Sequence, residues 1–199
     1  PYLYRPFDLR WVYWEPETKL LGAKSPDYFA QAFQGNQWLL TTGRTRKGIP
    51  EPPIAATRLA DLNLMDSGLR GTPLLVRQVD GSMDGVPSAG HPNLSERATV
   101  YLKQLHAQHA DLFFHSLAVM HSLIYREANA GALRQEWPRV PLPTQIDLLR
   151  ASADLGREIA ALLDTETPVT GVTSSALRPE LKAIAPVSTV NRSPPPTLR

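Results

Sequence analysis

The sequence predicts an α+β fold: an N-terminal mixed, β-containing subdomain, then a helical subdomain, then a proline-rich tail. Three observations carry this expectation. Aromatic and β-branched runs fall before residue 80, apolar residues recur at helical spacing after residue 94, and the stretch between, Asp80 to Pro92, is rich in Gly, Pro, Ser and Asp. Strands grouped ahead of helices are the pattern of a segregated α+β chain rather than an alternating α/β one. The expected divisions are a strand-rich region over 1–92, a helical region over 93–165 and an extended segment over 166–199 with a disordered end.

The elements follow in chain order. Residues 9–14, Leu-Arg-Trp-Val-Tyr-Trp, read as a strand, and Glu15 to Thr18 as a turn. Ser25-Pro26-Asp27 supplies a cap and a proline at a helix start, which continues through Phe33 to Gly35. Gln37 to Thr42 is a second strand centred on Trp38, Leu39 and Leu40. Gly43 to Gly48 is a loop, Ile54 to Leu64 fits strand or helix equally, and Thr72 to Val79 is a further strand. Leu94-Ser95-Glu96 opens a helix to about His109. Asp111 to Tyr125 has helical periodicity, and a short helix over Glu127 to Trp137 is stopped by Pro138 and Pro141. Ile146 to Leu163 is the clearest helix, with Ile146, Leu149, Ala153, Leu155, Ile159, Leu162 and Leu163 as its apolar face.

Composition excludes several functions. The 199 residues contain no cysteine, so disulfides, thiolate nucleophiles and cysteine-ligated metals are ruled out. No apolar run reaches the roughly 20 residues of a membrane helix, and Pro1 to Arg10 does not resemble a signal peptide, so a cytoplasmic protein with no membrane partner is expected. The 21 basic and 19 acidic residues leave a net charge of +2, so any nucleic-acid surface has to be a local patch. There is no phosphate-binding loop, no dinucleotide or S-adenosylmethionine fingerprint and no nucleophile elbow, so no cofactor and no catalytic residue is expected.

Weak signals remain. His106 and His109 fall three apart in the first long helix, with His115 and His121 in the next, but no acidic pair completes a ligand set and no metal is expected. Arg44, Arg46 and Lys47, between Gly43 and Gly48, are the densest basic cluster; they suit phosphate or guanine contact, or a plain solvated loop. Trp11, Tyr13 and Trp14 suit base stacking, but at strand spacing they are expected in the core.

Three segments together resemble a known family. Tyr4-Arg5-Pro6-Phe7-Asp8-Leu9-Arg10-Trp11-Val12-Tyr13-Trp14 resembles the YRPFDxRWxYY signature that follows the methyltransferase of Type ISP restriction–modification enzymes. His121-Ser122-Leu123-Ile124-Tyr125-Arg126-Glu127 resembles the family's LHSPxYRE segment, with Leu123 in place of the proline. Trp137-Pro138-Arg139-Val140-Pro141-Leu142-Pro143 is similar to its PRIPLP box. The resemblance covers about residues 1–185 and points to the C-terminal specificity domain. It implies sequence-specific recognition of double-stranded DNA by a non-catalytic region that works with the methyltransferase and helicase/nuclease domains of its parent enzyme.

On that reading Arg44, Arg46, Lys47, Arg58, Arg70 and Arg77 are the candidate DNA contacts. Arg5, Asp8, Arg10, Tyr125, Arg126 and Arg139 are expected to hold the fold, because a motif shared by readers of many sites suits a scaffold. The competing expectation is an assembly module, whose helices between Ser95 and Leu163 pack on a methyltransferase or another protein without base reading.

Overall fold

The computed structural model describes residues 1–6, 8–13, 26–42, 48, 51–65, 68–78 and 90–164. β1 (Tyr2–Arg5) and β2 (Asp8–Arg10) form an antiparallel hairpin with Leu3 opposite Leu9. Leu3 ties the hairpin to later chain: its N–H donates to Leu59 O at 2.8 Å, and its carbonyl accepts from Asp61 N–H at 2.8 Å. The expected strand over 9–14 stops at Arg10. The ladder ends at the Tyr2–Arg10 pair, so the following residues have no strand to hold them. Trp11 and Tyr13 are accordingly 47% and 65% exposed rather than in the core, and Trp14 lies outside the described residues.

α1 (Pro26–Phe29) is one turn long and gives way to turns before reaching Gly35. Two side chains take over where the helix was expected to continue. Gln31 accepts from Arg77 N–H at 2.6 Å and donates to the carbonyls of Arg77 and Asp27. Buried Asn36 donates to the Gln31 and Leu75 carbonyls and accepts from the N–H groups of Gln37 and Leu75. Both amides are thus satisfied as a buried amide must be, in a loop instead of a helix.

β3 (Trp38–Thr42) is the centre of a three-stranded antiparallel sheet, flanked by β4 (Ile54–Ala56) and β5 (Leu69–Pro73). The ambiguous segment from Ile54 is therefore a short strand followed by bends and turns. The strand expected over 72–79 begins at Leu69, and its continuation β6 (Leu75–Val76) leaves the sheet to pair with β7 (His91–Pro92).

Both faces of β3 are covered, and its period-two alternation sorts its residues between two cores. Trp38 and Leu40 pack with Leu3, Leu59, Leu64 and Met65, against Tyr28, Phe29 and Leu69. Leu39 faces the other way and packs with Ala55 beneath the helices, among Phe114, Leu117 and Ala153. The strand-bearing and helical parts therefore share apolar contacts within the unit Pro1–Asp164.

α2 (Glu96–Leu105) starts where its cap predicts: Ser95 Oγ accepts from Ala98 N–H at 3.3 Å. It ends sooner than expected because His106 turns left-handed, at φ 52°. α3 (His109–His121) follows and breaks at Ser122, whose hydroxyl caps α4 (Leu123–Ala128). α5 (Ala130–Leu133) is a single turn, shorter than the helix expected over 127–137.

α6 (Ile146–Leu163) has the expected bounds but a different buried face. Leu149, Ala153 and Gly156 are buried, whereas Leu155 and Leu162 face outward. The face is set by closeness rather than by hydrophobicity, since Gly156 lies directly against the backbone of Phe114 on α3. Among the described residues no helix is long and apolar enough to cross a membrane.

Candidate functional site

Between α5 and α6, three helix side chains grip one extended segment. Tyr125 O–H donates to Arg139 O at 3.0 Å, a His115 ring nitrogen lies 2.8 Å from Pro141 O, and Tyr101 O–H donates to Pro143 O at 2.7 Å. Alternate carbonyls of an extended chain point the same way, so residues 139, 141 and 143 present a row of acceptors to α2, α3 and α4. Prolines cannot donate, and this segment is held through its carbonyls. Burial raises both phenols above their ordinary range, so they stay protonated donors.

A carbonyl only accepts, so the His115 nitrogen facing Pro141 carries its proton. In the neutral ring the other nitrogen then accepts from Ser152 Oγ–H at 2.8 Å, joining α3, α6 and the connector through one buried imidazole. His121 similarly donates to Pro53 O at 2.7 Å. His106 and His109 do not share a helix, since one ends α2 and the other begins α3. Among the described residues no three His, Asp or Glu side chains gather as a metal site.

Asp111 accepts from Gln108 N–H as part of a capping box and pairs with Arg157 at 2.7 Å. Burial pushes its carboxyl up. The Arg157 bond, the Gln108 N–H and the charges of Arg157 and Arg150 outweigh that and hold it below the usual carboxylate range.

The gripped connector begins at Trp137, and here an open cleft lies between the end of β3 and helices α4 and α5. Thr41, Thr42, Glu51, Tyr125, Arg126 and Trp137 are among its lining residues. Trp137 is 56% exposed and carries the guanidinium of Arg70 on its ring, 4.6 Å from the centroid. Arg70 belongs to edge strand β5, directly opposite Thr41, and its side chain points to solvent as the alternation of β5 requires. It makes no hydrogen bond or ion pair to another described residue; its partner is the indole.

The other sequence candidates divide. Arg44, Arg46 and Lys47 lie outside the described residues, but the residues bracketing their segment, Thr42 and Glu51, both line this cleft. Arg77 is turned inward: its guanidinium sits 3.6 Å from the Phe33 ring centroid, and its Nε is buried without a hydrogen-bond partner. Arg58 is half-buried.

Among the motif residues, Arg10 donates twice to Asp8, at 3.1 and 3.0 Å. Arg5 turns away from Asp8 to Asp61 and the Asn63 carbonyl. The two guanidiniums lie over the Tyr4 ring, 4.4 and 3.8 Å from its centroid. Arg126 lines the cleft, and Arg139 pairs with Glu136 at 2.7 Å on the surface. Sequence reasoning gave Trp137 and the β3 threonines no role. The signal available was an aromatic residue at the end of an expected helix, directly before a proline connector.

Comparison with known proteins bears out the resemblance read from the three motifs. The family model of the Type ISP C-terminal specificity domain matches residues 1–185. Among solved structures, the cryo-EM structure of a DrdV–DNA complex is 26% identical with a TM-score of 0.63, over 81% of this chain and 15% of that chain. A nuclease-deletion mutant of the Type ISP restriction–modification enzyme LlaGI, in complex with a DNA substrate mimic, is 18% identical with a TM-score of 0.55, over 81% of this chain and 13% of that one. The ATP-dependent Type ISP restriction–modification enzyme LlaBIII bound to DNA is 16% identical with a TM-score of 0.60, over 84% of this chain and 11% of that one. The last two likenesses concern the fold, and all three structures are several times longer than this chain. No curated protein matches the chain. With the family model spanning the hairpin, the sheet, the helices and the gripped connector, this chain belongs to the Type ISP C-terminal specificity domain family.

Proposed function

We propose that this chain is the duplex-DNA recognition module of a restriction–modification enzyme, sequence-specific and not catalytic by itself. The observation that carries the reading is its membership of a specificity-domain family over residues 1–185. It is supported by similar structures that are complexes with DNA, and by their greater length, which leaves room for catalytic domains elsewhere in the polypeptide. The proposed partners are cytoplasmic double-stranded DNA and the methyltransferase and helicase/nuclease domains of the parent enzyme.

Arg44, Arg46 and Lys47, together with Arg70, are the proposed contact residues. Thr42 and Glu51 on the cleft wall, with Arg70 beside them, support that grouping. Half-buried Arg58 and inward-turned Arg77 take a lesser part. The test is duplex binding by fluorescence anisotropy across a salt series. Phosphate contacts set the salt slope, at roughly 0.9 log–log units per contact. The Arg44→Ala/Arg46→Ala/Lys47→Ala chain is expected to bind all duplexes more weakly and with a shallower slope. Unchanged affinity at low and high salt removes the loop from the interface.

A second reading has its own observation. Leu148, Leu155 and Leu162 recur every seven residues along α6 and are exposed. Such a stripe suits packing against another domain, and an assembly role on the methyltransferase accounts for it without base reading.

A further inference from the structure

We infer that Arg70, whose guanidinium lies over the Trp137 ring, is a specificity-determining residue that reads a guanine in the major groove, with Trp137 as its positioning residue. The inference rests on the DNA-recognition reading above. Three features separate Arg70 from an ordinary surface arginine. Its guanidinium carbon lies over an indole, 4.6 Å from the ring centroid. No carboxylate or carbonyl among the described residues occupies its donors. It projects from an edge strand, beside the last residues of β3 from which the basic segment departs.

The backbone on either side of Trp137 is held in place. Trp137 follows Glu136, which stands three residues after α5 and whose N–H bonds to Ala132 O at 2.8 Å. It precedes Pro138 and then Arg139, whose carbonyl is gripped by Tyr125. An exposed tryptophan whose flanking backbone is held offers a cation–π partner, and an arginine already resting on such a ring loses fewer conformations when it binds.

What such a group recognises follows from its geometry. A guanidinium fork presents two parallel N–H donors in one plane, and guanine presents O6 and N7 as two acceptors in one plane. A phosphate needs the charge but not a restricted fork, and a freely swinging lysine or arginine serves it as well. Restricting the fork in advance is useful for a base edge, where orientation decides between base pairs. Hydrogen bonds in the plane leave both faces of the guanidinium free, so stacking and reading do not compete.

The experiment uses the full 199-residue chain and the duplex that it enriches from a randomised pool. Each base pair of that duplex is then changed in turn. The expected wild-type behaviour is a preference of about 10- to 100-fold for guanine at one position. Arg70→Ala should bring that preference to within about twofold and leave the other positions unchanged. Arg70→Lys, which keeps the charge and loses the fork, should lose the same preference with the salt slope unaltered. Trp137→Ala should weaken discrimination at that same position, and Trp137→Phe, which keeps a ring, should restore most of it. The inference is overturned if Arg70→Lys keeps every preference. It is equally overturned if Arg70→Ala loses affinity on all duplexes alike with a shallower salt slope, the mark of a phosphate clamp. A wild-type chain that binds duplex but enriches no sequence overturns the underlying reading instead.

Discussion

Gly156 is where two helices come closest, and it shows what a single atom decides. A Cβ there would overlap the carbonyl oxygen of Phe114, which is backbone and cannot swing aside. In an exposed helix interior, replacing glycine with alanine stabilises by about 1 kcal/mol. Here Gly156→Ala should instead cost about 3 kcal/mol, because α3 must move off α6. Urea denaturation checks the sign, and a variant as stable as the parent would show that the helices part without cost. The apolar pattern of α6 placed Leu155 and Leu162 on the buried face because hydrophobicity was the only guide. Glycine carries no hydrophobic signal, so its burial became visible only with α3 against it. The same limit hid Asn36 and Gln31, whose polarity gives no sign of burial, although Asn36 bonds the backbone of Leu75 in β6 and Gln31 that of Arg77 just after it.

The connector from Arg139 to Pro143 explains why two of the family's motifs occur together. Tyr125 lies in one motif, and the carbonyls of Arg139, Pro141 and Pro143 lie in the other. Losing one phenol O–H removes a single hydrogen bond, so Tyr101→Phe and Tyr125→Phe should each cost about 1 kcal/mol. His115→Ala should cost more, about 2–4 kcal/mol, because it opens a cavity and strands both the Ser152 hydroxyl and the Pro141 carbonyl. Equal losses for all three variants in chemical denaturation would contradict the central place given to His115.

The bounds of α6, the Ser95 cap and β3 were legible because each carries a local signal in periodicity or capping chemistry. The break at Ser122 and the left-handed His106 were not, since apolar periodicity continues across Ser122 and no glycine marks His106. The hairpin motif was legible as a family mark. Its ion pairs are only partly local: Asp8 takes Arg10, while Arg5 reaches Asp61, a residue far along the chain.

At the scale of the whole molecule, strands and helices share one set of contacts through β3, whose two faces serve different cores. This arrangement fixes the edge strand β5 relative to the helices, and so fixes Arg70 relative to Trp137 across 67 residues of sequence. A reader of DNA requires such rigidity, because base-edge contacts tolerate little misplacement. The central claim is that the chain reads duplex sequence. The most direct test is selection from a randomised double-stranded pool by the purified 199-residue chain at near-physiological salt. Enrichment of one short motif is expected, bound at least about 1,000-fold more tightly than random duplex. Equal recovery of all sequences, with binding that simply fades as salt rises, would contradict it.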